Sequence, residues 1–451
     1  MQRVSARGVP LDKFDGIAVN VGQEALKAMA AAGLRPPEGE EEAPEIYLLK
    51  VVSSSALGGG PLGSRQLIAT SLSDFTVHVL ERRGGELHPV CRFRAHDAPV
   101  TDLLFFPGPS PTLMTASEDG LAKTWDLSRS LASGSDAQCV NQVACDGRRS
   151  PVWSISASKS GELLAAATQQ GVLIWRKVVD KRHGLKWKKH VALEESFCDV
   201  VTQVLFHPDE SSSGIGAGPP IVLAACGEDG LVCLFDLNKG PDEDENLLAV
   251  LNADSSIAQV GFFGQRQGGF LWCRTNDETF RAWNWTKACV SQEEVGRDVT
   301  MGESEEESEV SSMRDARKNL TESLSRSAPS AKIDYLVDCH WDTSSAELRL
   351  CGGNTSGQLF LFQLAVEAFD HGKGEAMVRF SSPKDIKPLR SLCGGGHRSV
   401  VRSMDSSHAP DWYLTCGEDG ILCQWTPSRK GYGGSSGVAP PNRAMSRYRP
   451  Y

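Results

Sequence analysis

One short pattern, written three times, limits what this chain can fold into. Thr112–Asp126 reads TLMTASEDGLAKTWD, Ile221–Asp236 reads IVLAACGEDGLVCLFD, and Trp412–Thr426 reads WYLTCGEDGILCQWT. In each, an apolar strand runs into a Glu-Asp-Gly turn and a second strand runs out to an aromatic or a Trp-Asp end. Glycine tolerates the positive φ that a tight hairpin demands. The alternating apolar positions give each strand faces that neighbouring sheets must cover.

Weaker copies fill the gaps. Leu67–Leu80 and Glu162–Trp175 keep the strand pattern, Phe270–Trp283 keeps a turn aspartate at Asp277, and Leu348–Phe362 keeps only the glycine. Together they make seven hairpins. Each has an upstream apolar strand: Tyr47–Val52, Val100–Phe105, Val152–Ile155, Val201–Phe206, Ile257–Phe263, Tyr335–Trp341 and Val400–Met404. At 451 residues and 40% hydrophobic content the chain can fill one large repeat architecture.

Paired His and Trp-Asp signatures at a period of ~40–45 residues resemble WD repeats, whose blades are four-stranded sheets around a channel. The resemblance implies an all-β fold: a seven-bladed WD-repeat β-propeller over residues 46–427. It also implies a buried hydrogen-bonded tetrad in each full signature. These are His96, Thr115 (or Ser117), Asp119 and Trp125 in blade two, and His397, Thr415, Asp419 and Trp425 in blade seven. A buried His–Asp pair is costly unless both groups are satisfied, so these residues read as structural. Blades three, four and six depart from the pattern. Gln170 stands where the turn Asp belongs, blade four lacks the His and ends Phe235-Asp236, and blade six lacks His, Asp and Trp. Such blades must lean on apolar packing.

The runs DVVTQVLFHP, GEDGLVCLFDL and GGGHRSVVRS are similar, in order, to one branch of that family. Its members can carry Trp-Asp-x-Arg, a signature for docking on a cullin-4 ligase adaptor. Here the arginine falls one residue late, at Arg129 after Trp125-Asp126.

Outside the blades, residues 1–45 read as an extension, partly helical or disordered, with a helix over Gly22–Gly33. Ile17–Val21 could close the ring by joining the last blade. An acidic linker spans 36–45, a flexible loop 209–220 and an acidic turn 238–246. Residues 291–332 carry GESEEESEVSS and little apolar periodicity, so they read as a disordered acidic insertion whose serines could accept phosphate. The basic tail 428–451 reads as disordered.

The resemblance places the turn glutamates Glu118, Glu228 and Glu418 on the rim of one propeller face. Three carboxylates there would attract a basic protein or peptide. The opposite charge gathers at Arg176, Lys177, Lys181, Arg182, Lys186, Lys188 and Lys189, with Trp187 among them. Basic residues around an aromatic suit RNA, and equally a solvated strand edge.

The net charge of −10 argues against bulk nucleic-acid binding. Thirteen cysteines without a CxxC pair suit free thiols in a reducing compartment, cytoplasmic or nuclear. No catalytic residue, metal, cofactor or membrane contact is expected. The expected function is a protein-interaction scaffold, a monomeric propeller within a complex, binding a basic partner. The alternatives are a substrate receptor of a cullin-4 type ligase and an RNA- or ribosome-biogenesis-associated factor.

Overall fold

The computed structural model describes residues 12–24 and 45–427, apart from 56, 61–62, 109, 146–149, 181–183, 209–220, 241, 265–268, 295–307, 369–375, 393–395 and 410. The repeats form seven antiparallel blades. Their innermost strands are Leu48–Ser53, Val100–Phe105, Val152–Ala157, Val201–Phe206, Ile257–Phe263, Tyr335–Asp342 and Val401–Asp405. In blade two the order runs Val100–Phe105, Thr112–Ser117, Leu121–Asp126 and Gln138–Ala144, each strand paired with the next. The seven expected inner strands match these to within two residues at each end.

Blade seven takes its outer strand from the other end of the chain. Asp12–Asn20 runs antiparallel to Ile421–Pro427, from Phe14 opposite Pro427 to Asn20 opposite Ile421. The propeller therefore begins at Asp12, well before residue 46. Asp12 and Lys13 also pair in parallel with Arg390 and Ser391, which joins blades six and seven into one continuous sheet. The helix expected over Gly22–Gly33 starts at Val21 and is described to Glu24. Val21 is buried against Ile46, Leu422 and Trp412 in the junction of blades seven and one.

The insertion carries a strand and a helix within residues 308–332, which corrects the sequence expectation of disorder there. Glu309–Met313 is the outer strand of blade five, paired with Phe280–Trp283. The helix Ala316–Leu324 follows, capped by Asp315, whose side chain accepts from the Lys318 N–H at 3.0 Å. Ala316, Leu320 and Leu324, spaced four apart, lie on one stripe and are fully buried between blades five and six. The acidic linker 36–44, the loop 209–220 and the tail 428–451 lie outside the described residues.

Packing between blades is apolar and continuous. Leu163, Ala165 and Ile174 of blade three meet Leu223, Ala225 and Phe235 of blade four. Equivalent clusters fill the other junctions. Each fully buried Leu or Phe contributes about 1.5–3 kcal/mol of transfer free energy.

All seven innermost strands carry a register shift at the same place, so the bulge residues are Leu49, Thr101, Trp153, Thr202, Ala258, Val337 and Arg402. The residue after each bulge is polar: Lys50, Asp102, Ser154, Gln203, Gln259, Asp338 and Ser403. These side chains stitch neighbouring blades together around the channel. Ser403 Oγ accepts from Val51 N (3.3 Å), and Lys50 Nζ pairs with Asp102 (3.2 Å). Asp102 Oδ2 accepts from Ile155 N (3.0 Å), Ser154 Oγ from Val204 N (3.4 Å) and Gln203 Oε1 from Val260 N (2.6 Å). Gln259 Nε2 donates to Asp338 (2.7 Å), and Tyr335 Oη accepts from Val401 N (2.8 Å), which bridges the last junction. A bulge leaves backbone groups unpaired in its own sheet, and this belt satisfies some of them from the next blade.

Candidate functional site: the turn face and its channel mouth

The hairpin turns share one geometry. In six blades a residue one or two positions before the outgoing strand is left-handed and its N–H bonds three residues back: Phe75, Gly120, Gly230, Glu278, Gly357 and Gly420. Blade three makes a tighter turn, with Thr168 directly opposite Gly171. Two turns thus do without the glycine that marks the motif in sequence, which explains why blades one and five read as weak copies.

Below the turns, the structure brings each set of four signature residues together. His96 Nδ1 lies 2.8 Å from Asp119 and its Nε2 2.6 Å from Thr115 Oγ1, which also accepts from Trp125 Nε1 at 3.0 Å. In blade seven His397 Nδ1 lies 3.1 Å from Asp419 and Nε2 2.8 Å from Thr415, with Trp425 Nε1 at 2.7 Å. The hydroxyl is Thr115. Ser117 instead bonds the Ala98 carbonyl and the Asp119 N–H. Burial, opposed by the Asp119 carboxylate, keeps His96 below its ordinary pKa. Both histidines are thereby occupied, and the threonine hydroxyl that each one faces is fully buried.

Blade four shows how a tetrad is dismantled without loss. The Cys198 N–H donates to Asp229, as Asp97 and Arg398 do to Asp119 and Asp419, so Phe197 occupies the histidine position. Ala225 replaces the threonine and Phe235 the tryptophan, and Phe197 packs on Phe235 with ring centroids 6.2 Å apart. All three polar partners are gone at once, so none is left buried and unsatisfied.

The three rim glutamates have different surroundings. Each turn is tied beside an inner strand by its backbone: Glu118 N–H to Pro99 O, Glu228 N–H to Val200 O and Glu418 N–H to Val400 O. Glu118 and Glu228 are exposed and line one depression of about 340 Å³ at the channel mouth, with Leu49, Thr101, Trp153 and Thr202. Glu418 is separate. It is half-buried, pairs with Arg402 and borders a different hollow with Glu45 and Tyr47. Trp153, a bulge residue, was not singled out in the sequence. Its indole N–H has no hydrogen-bond partner. The signal that could have found it is its place one residue after the first strand residue, Val152, where blades two and four carry Thr101 and Thr202.

A carboxylate also escaped sequence reading. Glu243, in the acidic turn, is buried and accepts from the backbone N–H groups of Glu194 (2.7 Å), Glu195 (3.0 Å) and Ser196 (2.8 Å). It pins the loop that leads into blade four and leaves Glu194 and Glu195 exposed.

Of the basic run, Arg176, Lys177, Lys186, Lys188 and Lys189 lie on the hairpin Gly171–Asp180 / Gly184–Leu193, and Lys181 and Arg182 lie outside the described residues. Trp187 does not stand free among them as a stacking surface. It packs edge-on against Phe106 of blade two, centroids 5.7 Å apart. Among the described residues no group of His, Cys, Asp and Glu is placed to hold a metal, and no helix is long and apolar enough to cross a membrane.

Seven blades around a channel form a β-propeller, and two of them carry the His-Thr-Asp-Trp bond set of WD repeats. The family model for the WD domain, G-beta repeat, matches residues 87–126 and 386–426, each the outer strand of one blade with the three inner strands of the next, blades two and seven. The chain is 29% identical over 406 residues to WD repeat-containing protein GTS1 of Arabidopsis thaliana, covering 85% of this chain and 86% of that one. It is 25% identical over 361 residues to the WD repeat-containing protein 89 homolog of Dictyostelium discoideum, covering 80% of each. In three dimensions it resembles a chain in the crystal structure of a mitotic checkpoint complex, with TM-score 0.53, 13% identity and 94% of each chain covered, a likeness of fold alone.

Proposed function

We propose that this propeller is a docking platform whose turn face, at blades two to four, holds a basic segment of a partner protein. WD-repeat propellers are interaction scaffolds as a class, and the rigid ring supplies a preorganised surface. The observation that carries the reading is the shared depression: two exposed carboxylates, Glu118 and Glu228, flank the Trp153 indole at the channel mouth. A lysine or arginine side chain entering there meets opposite charge on two sides and an aromatic surface beneath. The exposed Asp97, Glu194, Glu195 and Asp199 extend the negative field over the same sector. On blade seven Arg402 pairs with Glu418, so the negative field is concentrated over blades two to four.

The test is calorimetric titration with an Arg/Lys-rich peptide at low and high salt. Glu118→Gln with Glu228→Gln is expected to weaken binding on the order of tenfold at low salt, with the difference shrinking as salt screens the field. Glu418→Gln is expected to change little, because Arg402 already neutralises that carboxylate. Equal affinity for wild type and the double variant contradicts the reading.

A further inference from the structure

The blade-three hairpin is longer than those of the two blades that flank it. The third strands of blades two and four, Leu121–Asp126 and Leu231–Asp236, have 6 residues, whereas Gly171–Asp180 has 10 and pairs along its length with Gly184–Leu193. The neighbouring strand Leu163–Thr168 covers it only as far as Arg176. Past Lys177, whose N–H still donates to the Glu162 carbonyl, the hairpin is a two-stranded ribbon that projects about 10 Å beyond the sheet, at roughly 3.3 Å per residue. It leaves from the end opposite the Gly171 turn, so it stands on the face away from Glu118 and Glu228.

The two faces of this ribbon differ. One carries Lys177 and Trp187, directly opposite each other, and is anchored. Trp187 packs on Phe106, and the Lys177 ammonium lies 5.7 Å from the same ring. A free two-stranded ribbon is only marginally stable in water, and this anchor holds it against blade two. The other face carries Arg176 opposite Lys188 and Val178 opposite Lys186. All four are exposed, and the Arg176 guanidinium lies 3.1 Å from His190 Nε2, which adds a titratable base to the same face. In the paired strands Gly171–Asp180 and Gly184–Leu193 the one carboxylate is Asp180, at the tip.

Like charges directly opposite across a sheet are destabilising. Here a protein of net charge −10 nonetheless concentrates cations on one face of a rigid ribbon. We propose that this face binds the phosphate backbone of RNA. Alternate side chains on one strand stand about 6.6 Å apart, so Lys186 and Lys188 can meet successive anionic groups of an extended chain. The aromatic that base stacking would need is turned into the protein, so recognition runs through charge and is independent of sequence. A protein partner would call for an apolar centre with aromatic anchors. Val178, 41% exposed, is the one large apolar side chain on this face.

The experiment is fluorescence anisotropy of the full chain with a labelled single-stranded RNA of about 20 nucleotides, across a salt series. The variant Arg176→Gln/Lys186→Gln/Lys188→Gln is compared with Lys384→Gln/Lys387→Gln, two exposed lysines of blade six. All five positions are on the surface, and thermal melting verifies that each variant is folded. Wild type and the blade-six variant are expected to bind alike. The hairpin variant is expected to lose at least tenfold in affinity. Its slope of log affinity against log salt is expected to fall by about 2, since each phosphate that a cation neutralises on a single strand adds about 0.7. The proposal is overturned if wild type does not bind, if both variants lose affinity equally, or if the hairpin variant keeps both affinity and slope. Capture of an acidic peptide by the hairpin without RNA binding also overturns it, in favour of a protein ligand.

Discussion

At the residue scale, the signature residues act as a closed set of hydrogen bonds. Thr115 is the hub, because its single hydroxyl serves both His96 and Trp125 inside the blade. Thr115→Val keeps the shape and removes both bonds, leaving two buried nitrogens without partners. The expected cost is about 2–4 kcal/mol, read as a drop in the urea midpoint at unchanged m-value. Blade four shows the converse: with Phe197, Ala225 and Phe235 in the equivalent places, the same site is satisfied by packing. A Thr115→Val protein as stable as wild type would mean the hydroxyl is not the hub. The sequence made these positions legible because their residue types are chemically specific and their spacing is fixed by the hairpin. Trp153 and Glu243 stayed hidden for the opposite reason. One owes its place to a backbone bulge, the other to three N–H groups of a loop about 50 residues away, and neither leaves a local pattern.

At the scale of elements, strands with two apolar neighbours were readable and edge strands were not. Second strands such as Leu163–Thr168 and Val222–Gly227 are buried at every position and so spell nearly continuous apolar runs. The outer strand of blade five spells EVSSM, because only Ser311 and Met313 face inward. Ser311 is held in the interior by its hydroxyl, which accepts from the Phe380 N–H at 3.0 Å. The following helix did carry a signal, Ala316, Leu320 and Leu324 four residues apart, but the acidic, serine-rich run before it masked so short a stripe. If this helix is part of the core, Leu320→Ala is expected to cost about 2–5 kcal/mol, the range for a fully buried leucine. If the insertion were a solvated spacer, the loss would be within about 0.5 kcal/mol. Chemical denaturation of the variant separates the two, and it also bears on modification: Ser308 and Ser311 are buried, so a phosphate on either would have to displace the strand.

At the scale of the whole molecule, closure of the ring forces titratable groups into blade junctions, and this sets how stability responds to pH. Burial, reinforced by the Arg92 charge, pushes His78 down to about 4, and burial with the Arg349 charge does the same to His340. For both, the folded state favours the neutral ring, so their contribution is complete above the unfolded value of 6.5 and is lost as pH falls from there toward 4. Each is expected to cost about 2 kcal/mol between pH 7 and pH 5. Asp338 works in the other direction. Burial in the channel belt raises it to about 6, against the pull of Gln259 and Arg274, so its contribution grows as pH falls through 6. That returns on the order of 1 kcal/mol over the same interval. The histidines win, and the net expectation is a loss of about 2–3 kcal/mol between pH 7 and pH 5, measured by urea unfolding at each pH. The assignment is checked with His340→Phe. Neither ring nitrogen of His340 has a hydrogen-bond partner, so an apolar ring of similar size leaves no group unsatisfied. The variant is expected to flatten the pH dependence by about 2 kcal/mol while leaving stability at pH 7 nearly unchanged. A slope as steep as wild type would place the acid sensitivity elsewhere. The carboxylates Asp342 and Asp419 cannot be that place, because their depressed values put their losses below about pH 4, outside the interval measured.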